Sequence, residues 1–114
     1  MDLKAGVIWP EDMSAASWYM RGVINQVHWE LFGYVATCTS AYRAGDPRLH
    51  GKKRALDVRI KHLTDAQVHQ LVAMLKSRLG PDFDVVLEGP LSLDPALKSK
   101  PPHIHAEYDP QVPA

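Results

Sequence analysis

The stretch PPHIHAEYDP, residues 101–110, decides how this chain is read. Its side chains alternate in character. His103, His105 and Glu107 fall at every second position and share one face of a β-strand. Ile104, Ala106 and Tyr108 occupy the other face. The apolar face asks for a core. The titratable face asks for a function.

The segments on either side repeat the pattern. FDVVLE, residues 83–88, sets Phe83, Val85 and Leu87 against Asp84, Val86 and Glu88, and predicts a second strand. Between the two, residues 89–102 are rich in Pro, Ser and Lys and read as an exposed, inserted loop. RALDVRI, residues 54–60, turns Leu56, Val58 and Ile60 one way and Ala55, Asp57 and Arg59 the other. YVATCT, residues 34–39, is β-branched or aromatic at half its positions and reads as a further strand. Between those strands, SAYRAGDPRLHGKK is a loop with Gly-Asp-Pro turn chemistry.

Two helices complete the pattern. The clearer one starts at a Thr64-x-x-Gln67 capping box. It carries Val68, Leu71, Val72, Leu75 and Leu79 as an apolar stripe and stops at Gly80-Pro81. Residues 13–32 predict the other, capped by Ser14 or Asp12 and ended by Gly33. Its apolar side gathers Trp18, Val23, Ile24, Val27, Leu31 and Phe32. The order is helix, strand, strand, helix, strand, strand. It predicts one α+β domain over residues 1–114, with a small, mostly antiparallel sheet and both helices on one face.

Composition excludes several function classes. Thirteen Lys and Arg balance thirteen Asp and Glu, so no basic face for nucleic acid is expected. The run HGKKR is too short to supply one. A lone cysteine, Cys38, rules out an internal disulfide and reads as a small buried residue. No segment is long and apolar enough for membrane insertion, and the opening residues carry no signal-peptide core. Synthesis in a host cytoplasm is expected, with release by other means for any action outside. His28, His62 and His69 fall in or beside helices and read as surface residues. Trp9, Trp18 and Trp29 read as packing at the core or its rim.

If the Asp57 strand and the histidine strand share a sheet, Asp57, His103 and His105 project to one side. His50 precedes the Asp57 strand in a loop able to fold over that surface. Two imidazoles and a carboxylate leave one position of a tetrahedral zinc open, as a catalytic zinc requires. Such ligands suit zinc better than magnesium or calcium.

SAYR (40–43), followed by LHGKKRALD (49–57), resembles the signature of the D-Ala-D-Ala metallopeptidases: Ser-Gly-Tyr-Arg, then Ser-x-His-x-x-Gly-x-Ala-x-Asp, then a zinc histidine on a strand. The His50–Asp57 spacing also resembles the hedgehog signalling domain, and HIH resembles the paired histidines of lysostaphin-type enzymes. The run from LHGKKRALD to HIHAEYDP is similar to short peptidases encoded by bacteriophages. The resemblance spans roughly residues 34–110. It implies a hedgehog-like fold with His50 and Asp57 as zinc ligands. The third ligand is His105 on the hedgehog and lysostaphin pattern, the closer match, or His103 on the Pro-His-aromatic pattern. His103 otherwise stands beside the metal to stabilise or protonate the tetrahedral intermediate. Arg43 takes the place of an arginine that pairs with a substrate carboxylate.

Three positions depart from that pattern. Arg48 replaces Ser, Lys53 replaces Gly, and Lys100 stands three residues before His103, where the family carries its catalytic acid. Glu88 is the nearest upstream carboxylate at a strand end and is the expected general base, with Glu107 and Asp94 as alternatives. The implied activity is zinc-dependent cleavage of the peptidoglycan stem peptide, as a carboxypeptidase or endopeptidase. The expected setting is lytic or virion-associated, with a virion protein as a partner. A second reading keeps the zinc but not the turnover, as a structural or wall-binding module. A third, from the cytoplasm, is a dipeptidase of wall recycling.

Overall fold

A computed structural model of the chain describes residues 1–46 and 53–110. His50 and Arg48 lie outside the described residues. The protein is a small α+β domain in which two helices accompany a five-stranded mixed sheet. The strands are β1 (Asp2–Leu3), β2 (Thr37–Ser40), β3 (Ala55–Arg59), β4 (Phe83–Glu88) and β5 (His103–Tyr108). The helices are α1 (Ala15–Phe32) and α2 (Asp65–Leu79). The sheet order is β1-β2-β3-β5-β4. All its pairings are antiparallel except β1 with β2.

Alternation along the strands decides which way each residue faces. Leu56 and Val58 of β3 and Ile104 and Ala106 of β5 are fully buried. They form one core with Met20, Ile24 and Val27 of α1 and with Leu71 and Leu75 of α2. Both helices therefore cover the same face, as expected. Removing apolar surface of this kind from water contributes about 25 cal/mol per Å², so the core face fixes strand register firmly. A slip of one residue would bring Asp57 and the histidines inward.

Local chemistry ends the elements where the sequence placed the signals. Gln67 N–H donates to Thr64 Oγ1 (3.2 Å), and Thr64 N–H to Gln67 Oε1 (2.9 Å), closing the capping box. Ser14 caps α1 by accepting from Ser17 N–H at 3.1 Å, while Asp12 pairs with Lys53 instead. Gly33, in the left-handed region at φ 80°, ends α1.

Four features differ from expectation. Residues 2–3 form a short strand, held by Asp2 N–H to Ala36 O and Lys4 N–H to Cys38 O, both 2.9 Å. Two residues are too few to show a period, so the pairing was invisible in sequence. The strand expected over residues 34–39 runs instead from Thr37 to Ser40. The buried line of α1 runs through Ser17, Met20, Ile24, Val27 and His28, and Trp18 and Trp29 are exposed. His28 is fully buried and not a surface residue. Its Nδ1–H donates to Tyr34 O (2.8 Å), and its Nε2 faces His62 Nε2 at 3.3 Å. Cys38 is buried as expected, and burial pushes its thiol pKa up to about 11.

Candidate metal and catalytic site

The face of the sheet turned away from the helices carries the titratable residues. In the register of β3 and β5, Asp57 lies directly opposite His105, and Arg59 opposite His103. In the register of β4 and β5, Glu88 lies opposite His103 and Val86 opposite His105. The β3 and β5 residues separated by nearly fifty positions in sequence (57 and 105) are thus nearest neighbours in the sheet.

These side chains line a cleft of about 520 Å³, a size suited to a small ligand or short peptide. Asp57, Glu88, His103, His105 and Glu107 form its floor with Val86. Arg43 and Asp46, which follow β2, line it too, as do Leu97, Lys100 and Pro101 from the β4–β5 connection. Among the described residues, four carboxylates face two permanent cations there. Among its permanently charged groups, the described lining is therefore acidic on balance.

Asp57 is the centre of the arrangement. It is 2% exposed, and a carboxylate so buried needs partners. Its Oδ1 lies 2.8 Å from His105 Nδ1, a hydrogen bond in which the ring N–H donates. Its Oδ2 accepts from Arg43 Nη2 at 3.1 Å and lies 3.6 Å from His103 Nε2. His103 Nε2 is also 3.2 Å from Glu88 Oε2. The far nitrogen of His105, Nε2, is 3.4 Å from Glu107 Oε2. Burial acts against the charged form of His105, but the hydrogen bond and charge of Asp57, with Glu107 adding to them, outweigh it and raise its pKa.

Arg43 reaches this site by a short tether. Its Nε donates to Ser40 Oγ at 2.9 Å, and its Nη1 lies 3.7 Å from Asp46 Oδ2. Two guanidinium nitrogens therefore donate to protein oxygens, while the side chain stays half exposed. Asp94, one alternative acid, accepts from Ala96 N–H at 3.0 Å and caps the 3₁₀ turn Pro95–Leu97.

Lys53, where the resemblance expects glycine, adopts φ 59°. This is the left-handed conformation that favours glycine. Its carbonyl accepts from Ser17 Oγ at 2.8 Å and from Ser14 N–H at 3.3 Å. The start of α1 thus grips the chain just before β3 and helps fix where Asp57 enters the sheet.

The structure brings Asp57, Glu88, His103, His105 and Arg43 together as one constellation; His50 lies outside the described residues. The donor set near Asp57, imidazole nitrogen and carboxylate oxygen, is of the type that zinc takes. Among the described residues, the group of three with ligand atoms all within 4.8 Å of one another is a different one: Asp84, Glu107 and Asp109. Burial, then the neighbouring charges of Glu107 and Asp109, raise the pKa of Asp84 there, which eases the crowding of acids without a metal. Sequence reasoning missed Asp46, Leu97 and Pro101 as cleft residues. Asp46 carried only a turn signal, and the other two only a loop composition.

Among the described residues, no helix is long and apolar enough to cross a membrane. In comparison with known proteins, the chain matches no family model, no curated protein and no solved structure.

Proposed function

We propose that this chain is a zinc-dependent peptidase that cleaves the stem peptide of bacterial peptidoglycan, on a hedgehog-like fold. One observation carries the reading. A buried Asp57, two strand imidazoles and Glu88 converge on one cleft, in the chain order that the resemblance implies. The left-handed backbone of Lys53, at the position where the resemblance has glycine, also supports it.

His50, Asp57 and a strand histidine would hold the metal, His50 on the strength of the resemblance alone. Geometry favours His103 over His105 as that histidine. Two ligands of one tetrahedral zinc stand about 3.4 Å apart. Asp57 Oδ2 and His103 Nε2 are separated by 3.6 Å. His105 Nδ1 is hydrogen-bonded to Asp57 Oδ1 at 2.8 Å, and its other nitrogen faces Glu107. The His105 ring is thus turned to the Asp57 oxygen that His103 does not approach. His105 instead orients the Asp57 carboxylate, as a hydrogen-bond partner behind a ligand does.

When bound, zinc supplies a Lewis acid for the scissile carbonyl and lowers the pKa of water toward ~7. The remaining work falls to the chain's own groups. Glu88, beside His103, takes a proton from the attacking water at Oε2 and delivers it to the leaving amine. Arg43 and His105 hold the two oxygens of Asp57 in place. The resemblance to phage-encoded peptidases gives the setting, lytic or virion-associated, in which a virion protein brings the domain to the wall.

Metal analysis followed by digestion of purified peptidoglycan tests this reading, with Glu88→Gln alongside. One zinc per chain with release of peptide fragments, lost in the variant, is the expected result. Zinc without product from any muropeptide would favour a non-catalytic wall-binding module. Absence of zinc binding would overturn both.

A further inference from the structure

We propose that Lys100, carried by the β4–β5 connection, is the group that reads a carboxylate of the substrate and makes the cleft selective for anionic peptides. This rests on the peptidase reading above and adds the residue that selects its substrate.

The connection is a braced structure and not a slack insertion. Gly89 N–H donates to Leu97 O at 2.9 Å, and Ser92 N–H to Gly89 O at 3.0 Å. Asp94 N–H donates to the Oγ of Ser92, which is 3% exposed. Lys100 N–H donates to Leu97 O at 3.2 Å, closing the turn that presents its side chain. At the base, Gly89 has φ 104°, and a Cβ there would stand 2.7 Å from the Pro102 Cα. The two ends of the connection are thus pressed together, as in a compact Ω-loop. Leu97, Lys100 and Pro101 are held as one wall of the cleft.

The two cations of the described lining differ in what occupies them. Arg43 is committed to Ser40, Asp57 and Asp46. Turning its Nη2 to a ligand would take a partner from the buried Asp57, at a cost of the kind paid for an uncompensated buried charge. Lys100 makes its backbone hydrogen bond, and among the described residues its ammonium has no such commitment. The register adds position. The connection leaves and re-enters the sheet at the Glu88–His103 pair, so Lys100 reaches the cleft from the β4–β5 side. Arg43 follows Ser40 of β2, which is level with Asp57. An ammonium on a flexible stem suits a carboxylate of variable position better than a fixed fork does. A cleft floor of acids would otherwise repel such a substrate, so one cation at its wall decides whether an anionic peptide enters.

The test uses the zinc-loaded full chain and a stem pentapeptide in two forms, all carboxylates free or all converted to amides. Binding is measured by calorimetry and turnover by chromatography. The free peptide should bind about tenfold more tightly than the amide, the scale of a charge-assisted hydrogen bond. Lys100→Met should remove that preference, and Lys100→Arg should keep most of it. Equal binding of the two forms by the wild type, or an undiminished preference in Lys100→Met, overturns the proposal. Selective binding without cleavage upholds Lys100 and sinks the peptidase reading alone. No binding of either form overturns both.

Discussion

Glu88 and His103 face each other across β4 and β5, with Oε2 3.2 Å from Nε2, although residues 89–102 lie between them in the chain. An acid that sequence places far upstream of its histidine is therefore its cross-strand neighbour. The expected consequence is kinetic. Glu88→Gln should lower kcat by about 10²–10⁴-fold, the range of general-base catalysis. Zinc content, measured on the same preparation, should stay at the wild-type level. Loss of zinc together with activity would make Glu88 a ligand and not a base.

The roles of the two histidines separate in metal affinity. His103→Ala should abolish stoichiometric zinc binding. His105→Ala should keep the metal but weaken it by about 10–100-fold, as removal of a partner behind a ligand does. Titration with a competing chelator distinguishes the two. The reverse order of effects would move the ligand to His105.

The left-handed Lys53 makes a prediction about stability. Lys53→Val should be less stable than Lys53→Gly by about 1–2 kcal/mol, because a β-branched residue resists positive φ. The loss of the Lys53–Asp12 pair is common to both variants and cancels. Urea unfolding midpoints of the two variants are the measurement.

Gly89 is a test of the braced connection. Gly89→Ala would set a methyl group 2.7 Å from backbone at Pro102 and at φ 104°. The ends of the loop must then part. A loss of about 2 kcal/mol or more is expected from strain of this kind, along with weaker selection between the free and amidated peptides. A variant as stable as wild type would mean that the connection gives way easily.

Acid should weaken the fold through His28. Burial, offset in part by the Tyr34 carbonyl, holds its pKa below the ordinary 6.5. Burial, His28 and Arg59 lower His62 as well. The unfolded chain then binds more protons than the folded one once pH falls below about 6.5, so stability is full above that pH and declines as pH falls through the folded pKa. In metal-free protein, His28→Asn should flatten the decline between about pH 7 and 5 while lowering stability at neutral pH. Denaturation at several pH values, wild type beside variant, reads the difference.

The strands of this protein were legible because alternation is a local property. A pleated backbone sends neighbours to opposite faces whatever lies elsewhere, so Leu56/Val58 and Ile104/Ala106 marked the core and Asp57, His103 and His105 marked the opposite face. The capping box at Thr64 and the stop at Gly80 were legible for the same reason. The buried line of α1 was less so. A stripe read through Trp18 and one read through Met20 differ by a rotation of the helix, and packing against β5 and α2 chooses between them. Only that packing buries His28, whose sequence setting is that of a surface residue.

The sequence by itself determined which residue types are available, that both helices and the longer strands form, and which face of β3, β4 and β5 is polar, because nearest-neighbour geometry and propensity act along the chain. Tertiary structure alone decided that Glu88 meets His103, that His105 and Arg43 both sit on Asp57, and that Lys100 is carried to the wall of the cleft. Those pairings depend on register across β2–β3–β5–β4 and on how residues 89–102 close on themselves. Register is set by the buried face, so the core that the alternation announced is also what aligns the cleft behind it.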